Sequence, residues 1–230
     1  MTNGRKAAEE HPVLVREVVR RDGSRAPALR VFCSRRAASV PLETCEACPS
    51  CVDIAPDEDG VGTLVRCQPP HAIATIPRTD RPRGMDDLPG EATLVGSILR
   101  GGTLCVASDA EVPALRALSV ERALLGLFIV DNDGRLVGLV RDVNLLRAVQ
   151  PTPDAGPLAA LEARDVNRAD AVMSTATSVW EDISVRRAIR CMASAHLREI
   201  PVVTREGQLV GVLRDIDGLR WIAAEQHRKR

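Results

Sequence analysis

Aromatic side chains are nearly missing: of 230 residues none is Tyr, two are Phe and two are Trp. Stacking platforms for bases or sugars are therefore close to absent. Net charge is missing too, with 31 Lys and Arg against 31 Asp and Glu, which excludes a globally basic nucleic-acid coat. No window approaches eighteen uninterrupted apolar residues, and Met1–Glu10 is polar and charged. Neither a membrane span nor a secretory signal is visible, so the chain reads as cytoplasmic. Histidine is scarce, with four residues scattered at 11, 71, 196 and 227. No His-Glu-x-x-His, Gly-x-Ser-x-Gly or phosphate-loop motif accompanies them, and an enzyme is not expected. His196 reads as a surface or cap residue.

What is present is an ordinary core-forming composition, 45% hydrophobic and 27% charged, over a length that corresponds to about one and a half domains. Seven Cys stand in the chain, five of them between Cys33 and Cys67. In a reducing cytosol such clustering favours metal over disulfides. The organisation reads as a flexible basic arm (1–27), a Cys-rich unit (28–72), a Pro-rich linker (73–91), a first repeat (92–150), a second linker (151–164), a second repeat (165–226) and a tail (227–230). Pro12-Val13-Leu14-Val15 and Val18-Val19 in the arm are compatible with a strand or an amphipathic turn.

The repeat is explicit. Sliding the chain by 73 residues lays Phe128–Arg147 on Pro201–Arg220 with nine of twenty positions identical, and the same offset superposes Val106 on Val179, Asp109 on Asp182 and Val112 on Val185. A constant register over this distance is a duplication. Each copy reads β-α-β-β-α: a strand (Thr103–Ala107 or Thr177–Trp180), an N-cap Asp109 or Asp182, a helix, two strands and a last helix. The strand pairs Leu127–Val130 with Leu136–Val140, and Ile200–Val203 with Leu209–Leu213, flank turns closed by Gly134 and Gly207. The first helix of copy two buries Val185, Ala188, Ile189 and Met192, and the last helices turn Val143, Leu146 and Val149, or Ile216, Leu219 and Ile222, inward. Asp131-Asn132-Asp133-Gly134 mimics half a calcium loop but lacks its distal Glu, and is a turn. Cys105 and Cys191 read as core residues.

This duplication resembles a tandem CBS-domain pair, named from cystathionine β-synthase. The residues that carry the resemblance are Ala171-Val172-Met173-Ser174, Ile200-Pro201-Val202-Val203 and Gly207–Asp217 in the second copy, with Leu127–Asp131 and Gly134–Val140 in the first. The resemblance implies an α+β fold of two packed units over roughly residues 92–226, a homodimer formed through the pair, and regulation of a partner protein. It also implies adenine nucleotide binding between the copies, through a Gly-hydrophobic-x-Thr/Ser-x-x-Asp segment. Gly211 and Asp217 fit that segment, with Arg214 at the hydroxyl position; Gly138 fits in the first copy, with Arg141 and Asn144 at the other two. Ile200 and Pro201 complete the candidate set. Arginine can grip phosphate bidentately, or it can fill the cleft or pair with Asp142 and Asp215. The alternative is a cleft that serves packing or dimerisation alone.

Cys33, Cys45, Cys48, Cys51 and Cys67 give Cys-x11-Cys-x2-Cys-x2-Cys-x15-Cys. A Cys-x2-Cys step places two thiolates at one tight turn. The expected set is a structural zinc on Cys33, Cys45, Cys48 and Cys67, with Cys51 as substitute and His71 as an outside candidate. An iron–sulfur cluster on the run Cys45, Cys48, Cys51 plus a remote Cys is the rival, and a redox dithiol at Cys45/Cys48 a third reading. Residues 1–40 carry net +5 and residues 41–67 net −5. The basic arm is expected to dock on its acidic neighbour, and the missing aromatics argue against nucleic acid.

Overall fold

The computed structural model describes residues 8–68, 93–148 and 167–228. Both linkers, His71, Val149 and the last two residues lie outside them. The expected arm is largely a strand. β1 (Glu9–Val19) starts exposed and buries Leu14 and Arg16 on either side of exposed Val15, and it pairs with three other strands. Residues 13–19 pair antiparallel with β2 (Arg25–Cys33), and residues 9–12 pair antiparallel with β5 (Thr63–Cys67). Residues 15–19 also run parallel with β6 (Gly102–Ala107), the first strand of the first repeat. Pairing of this density satisfies the backbone polar groups that a free arm would leave to water.

The Cys-rich segment is therefore not a separate knuckle. β3 (Ala38–Pro41) pairs with β2, the one-turn helix α1 (Leu42–Glu46) follows, and β4 (Cys51–Pro56) pairs with β5. One sheet in the order β3-β2-β1-β6-β7-β8 runs from this unit into the first repeat, which adds β7 (Gly126–Val130) and β8 (Leu136–Arg141). The second repeat has its own three-stranded sheet, β11-β10-β9 (Leu209–Arg214, Glu199–Val203, Val179–Trp180). Gly134 and Gly207 close the two β-turns at φ +76° and +85°, a conformation that glycine adopts without a Cβ penalty.

The repeats exchange their leading segments. α2 (Val95–Ile98) precedes the first repeat, yet Val95 and Leu99 are buried with Val185, Ile200, Val202 and Leu213 of the second. α5 (Ala169–Val172) precedes the second, yet Ala169 joins the first repeat's core with Leu115, Leu127 and Ile129. Backbone bonds follow the same exchange. Val95 and Gly96 donate to Ile183 and Glu181, while Ala169 and Asp170 donate to Ala110 and Ser108. A reciprocal pair at the turns, Leu136 N–H to Gly207 O and Leu209 N–H to Gly134 O at 3.0 Å each, joins the copies directly.

Two local expectations shift. α3 (Val112–Arg122) and α6 (Val185–Ser194) start at Glu111 and Ser184 rather than at Asp109 and Asp182, and the Ser184 hydroxyl accepts from Arg187 N–H at 3.4 Å. In α4 (Asp142–Arg147) the buried position is Leu145, and in α7 (Asp215–Arg228) Asp217 and Gly218 are buried with Trp221 packed on the core and Ile222 half-buried, while Val143, Leu146, Ile216 and Leu219 are exposed. A short helix seated by its first turn has no periodicity strong enough to reveal this one-residue rotation.

Candidate functional site

Each strand β8 and β11 runs into the first turn of its helix at an arginine, Arg141 or Arg214. The side chain three residues on closes that turn. Asn144 Oδ1 accepts from Arg141 N–H at 3.0 Å, and Asp217 Oδ2 accepts from Arg214 N–H at 3.2 Å. Asp217 is buried, and its other oxygen lies 3.5 Å from Arg220. Asp142 and Asp215 are not the arginines' partners: Asp142 accepts from Val143 N–H, and Asp215 pairs with Arg198 at 3.2 Å. Both guanidiniums are exposed and form no ion pair with a described residue. They occupy equivalent positions of the two copies.

The neighbouring glycines are covered. A Cβ on Gly211 would meet Leu99 Cδ1 at 2.9 Å, and one on Gly138 would meet the Met173 sulfur at 2.5 Å. Leu99 and Met173 end the two exchanged segments, so the glycines are needed for the close approach of the repeats. Ile200 is fully buried opposite Leu213, and Pro201 is buried opposite Val212. The Ile200 side chain belongs to the second repeat's core, and Pro201 is buried beside it.

All seven cysteines are free thiols. Cys45 is buried with Val31, Val40 and Val65, and Cys33, Cys51 and Cys67 pack against that cluster. Burial, reinforced by the surrounding thiols, pushes Cys45 up and Cys67 up to about 11. The sequence missed His11 and Glu9, which stand on β1 opposite Val65 and Cys67. Burial lowers the His11 pKa against the opposing pull of Glu9. Among the described residues no group of three or more His, Cys, Asp or Glu is spaced to hold a metal ion. Cys105 is fully buried and pushed up to about 12, the behaviour of a small core residue.

A third constellation joins these two. Arg16 on β1 is 9% exposed, and its Nη1 donates to Gly134 O and Leu209 O at 3.0 Å each, one carbonyl from each repeat. Arg30 on β2 donates to Gln208 Oε1 at 3.2 Å, and Gln208 in turn donates to Asp133 O at 3.1 Å. Glu181, just after β9, is 3% exposed, and its two oxygens lie 3.0 and 3.1 Å from the Ser39 amide of β3. Nothing in the sequence marked this junction, because its partners lie 118 to 193 residues apart. Among the described residues no helix is long and apolar enough to cross a membrane.

Comparison with known proteins places these features. Search of curated proteins finds no match. Solved structures match through the paired repeats. CBSX2 in complex with AMP is 26% identical, covering 60% of this chain and 98% of its own, with a TM-score of 0.48. The CBS domain of a CBS-domain-containing membrane protein from Sphaerobacter thermophilus is 24% identical over 56% and 87%, with a TM-score of 0.42. The CBS domain pair of protein MJ0100, in complex with 5′-methylthioadenosine and S-adenosyl-L-methionine, is 20% identical over 59% and 99%, with a TM-score of 0.43. The CBS-domain model matches residues 95–151 and again 164–224, just over half of the sequence, and the chain belongs to the CBS-domain family.

Proposed function

We propose that this protein is a non-enzymatic regulatory module. Its CBS pair takes an adenine nucleotide beside Arg214 and Asp217, and occupancy is transmitted to the N-terminal Cys-rich unit or to a partner protein docked there. The observation that carries the reading is the junction: the N-terminal unit shares a sheet with the first repeat and is hydrogen-bonded to the second. A ligand that shifts one repeat against the other must work on Arg16 and Glu181.

The ligand class follows from the family and from the chemistry of the two positions. An exposed guanidinium that pairs with no described residue can grip a phosphate bidentately. A carboxylate has about four acceptor sites, so Asp217 can keep its bond to Arg214 N–H and still accept a ribose hydroxyl. Asn144 makes the same bond with a neutral amide, which has one acceptor oxygen where the carboxylate has two. The second-copy position is therefore the stronger of the two. Zinc on the Cys-rich unit is the accompanying reading, since the unit gathers several free thiols around one small buried cluster.

The test is thermal denaturation with AMP, ADP and ATP. At a hundredfold excess over Kd a ligand of the folded state adds about 2.7 kcal/mol, a Tm rise of roughly 5–10 °C for a chain of this size. Asp217→Asn preserves the turn, since Asn144 makes the equivalent bond, and removes the charge. The expected result is a smaller rise in Asp217→Asn and in Arg214→Ala. No rise with any of the three nucleotides at millimolar concentration sinks the reading, and an equal rise in both variants removes the site.

A further inference from the structure

The 73-residue offset makes each repeat a control for the other. In the second, the Arg205 guanidinium lies 4.0 Å from the centroid of the Trp180 ring, and its Nε and Nη2 donate to Asp182 Oδ2 at 3.0 and 2.8 Å. Carboxylate and cation satisfy each other there, and the indole covers the cation. The counterparts in the first repeat are Asn132, Ala107 and Asp109. The carboxylate is kept, while the guanidinium and the indole are not. A cleft of about 850 Å³ lies at this place, and all three counterparts line it.

β1 and β2 of the N-terminal unit close the other side, β2 with nothing larger than Pro27 between Ala26 and Ala28. Four carboxylates (Asp22, Asp109, Glu111 and Asp131) and three guanidiniums (Arg16, Arg20 and Arg21) stand in the lining, a net charge of −1. The other three carboxylates have partners. Glu111 lies 3.7 Å from Arg21, Asp22 accepts from Ser24 N–H at 2.9 Å, and Asp131 accepts from Asp133 N–H and Arg135 N–H at 2.9 and 2.8 Å. Arg16 is committed to Gly134 O and Leu209 O. Asp109 has no hydrogen bond or ion pair with a described residue. Neither Arg214 nor Asp217 is in the lining, so the cleft is separate from the nucleotide position.

We propose that this cleft binds a guanidinium ligand, free arginine or an arginine side chain of a partner peptide, with its cation on Asp109 in the place that Arg205 takes on Asp182. A net −1 lining complements a cation, and the volume falls in the range of small-molecule sites, about 300–1,000 Å³. A guanidinium offers a carboxylate a planar fork of N–H donors, which a lysine ammonium does not. The ligand stands between the N-terminal unit and the first repeat and touches both.

The experiment is titration of the full chain with L-arginine, with N-acetyl-L-arginine amide and with L-citrulline, in which a neutral urea replaces the guanidinium. Saturable binding of at least one arginine form is expected, with citrulline about tenfold weaker or more. Tighter binding of the free amino acid assigns the site to a metabolite, and tighter binding of the capped amide assigns it to a peptide. Asp109→Asn is expected to weaken arginine binding by about tenfold or more. Ala107→Trp with Asn132→Arg rebuilds the stack of the second repeat and is expected to abolish binding without lowering Tm. No saturable binding of either arginine form at millimolar concentration, citrulline equal to arginine, or unchanged binding in Asp109→Asn overturns the proposal. None of these results bears on adenine nucleotide at Arg214 and Asp217.

Discussion

Replacing Arg16 with methionine tests the junction directly. The substitution keeps most of the aliphatic packing and deletes a guanidinium that donates to Gly134 O and Leu209 O at 3.0 Å. Hydrogen bonds from a charged donor contribute about 1.5–3 kcal/mol each. Gly134 O also keeps the bond it receives from Leu209 N–H at 3.0 Å, so the loss is less than the full sum, about 2–4 kcal/mol. For a chain of this size that is a Tm decrease of roughly 5–15 °C. Calorimetry reads the loss, and amide exchange at Leu136 and Leu209, which bridge the two repeats, places it.

A second substitution makes the argument specific. A Cβ at Gly134 would lie 2.5 Å from both Nη1 and Nη2 of Arg16, at a position with φ +76°. Gly134→Ala therefore carries two costs: a left-handed backbone for a non-glycine residue, about 1–2 kcal/mol, and displacement of the guanidinium. In the Arg16→Met background only the first cost remains. The double-mutant cycle is expected to show coupling of about 1–3 kcal/mol. An Arg16→Met variant within about 0.5 kcal/mol of wild type, or a strictly additive cycle, refutes the reasoning.

Two further outcomes follow from named residues. Burial raises the Glu181 pKa and Asp182 adds to the rise, against the opposing effect of the Ser39 amide and Arg30. A folded value above the unfolded one contributes stability that is complete below the unfolded carboxylate pKa and is lost as pH rises through the folded one. The stability of wild type relative to Glu181→Gln should therefore fall as pH rises above the ordinary carboxylate range of about 4, and urea midpoints that stay parallel from there upward would contradict it. Leu146 and Leu219, 68% and 60% exposed at equivalent positions of the two copies, are the apolar surface a homodimer through the pair would cover. Replacing both with Ser is expected to halve the mass measured by light scattering without lowering Tm, whereas a wild type that is already monomeric ends that reading.

The duplication was legible because its signal is local: Gly134 and Gly207, the paired strands and the constant register need no knowledge of distant partners. What escaped was non-local or too short to be periodic. β1 alternates over a few residues, and its strand character comes from β2, β5 and β6 closing around it. α2 and α5 each span four residues, too few to show which repeat they pack on, and they seat across the pair because Leu99 and Met173 fill the space left by Gly211 and Gly138. The thiols were legible as a group but not in their placement on the strands. Cys-x2-Cys-x2-Cys spacing is blind to the fact that the third cysteine opens a strand facing Cys67.

The same non-local elements tie the N-terminal unit to both repeats. Adjacent residues of β1 enter different cores: Val13 packs on the thiol cluster, Leu14 is buried in the second repeat, and Val18 and Val19 pack between the repeats and in the first. Burying one such side chain contributes about 1.5–3 kcal/mol, so a displacement of β1 by the rise of a single residue would sacrifice several of these contacts at once. A strand anchored in four places moves as one body or not at all. If zinc sets the geometry of β2 and β5, it sets the geometry of β1; if a nucleotide alters the angle between the repeats, it strains Leu14 against Val19. Any ligand that distinguishes two positions of β1 would then be linked to every other, and linkage is reciprocal: a metal bound at the thiols would respond to nucleotide by the factor with which nucleotide affinity responded to the metal.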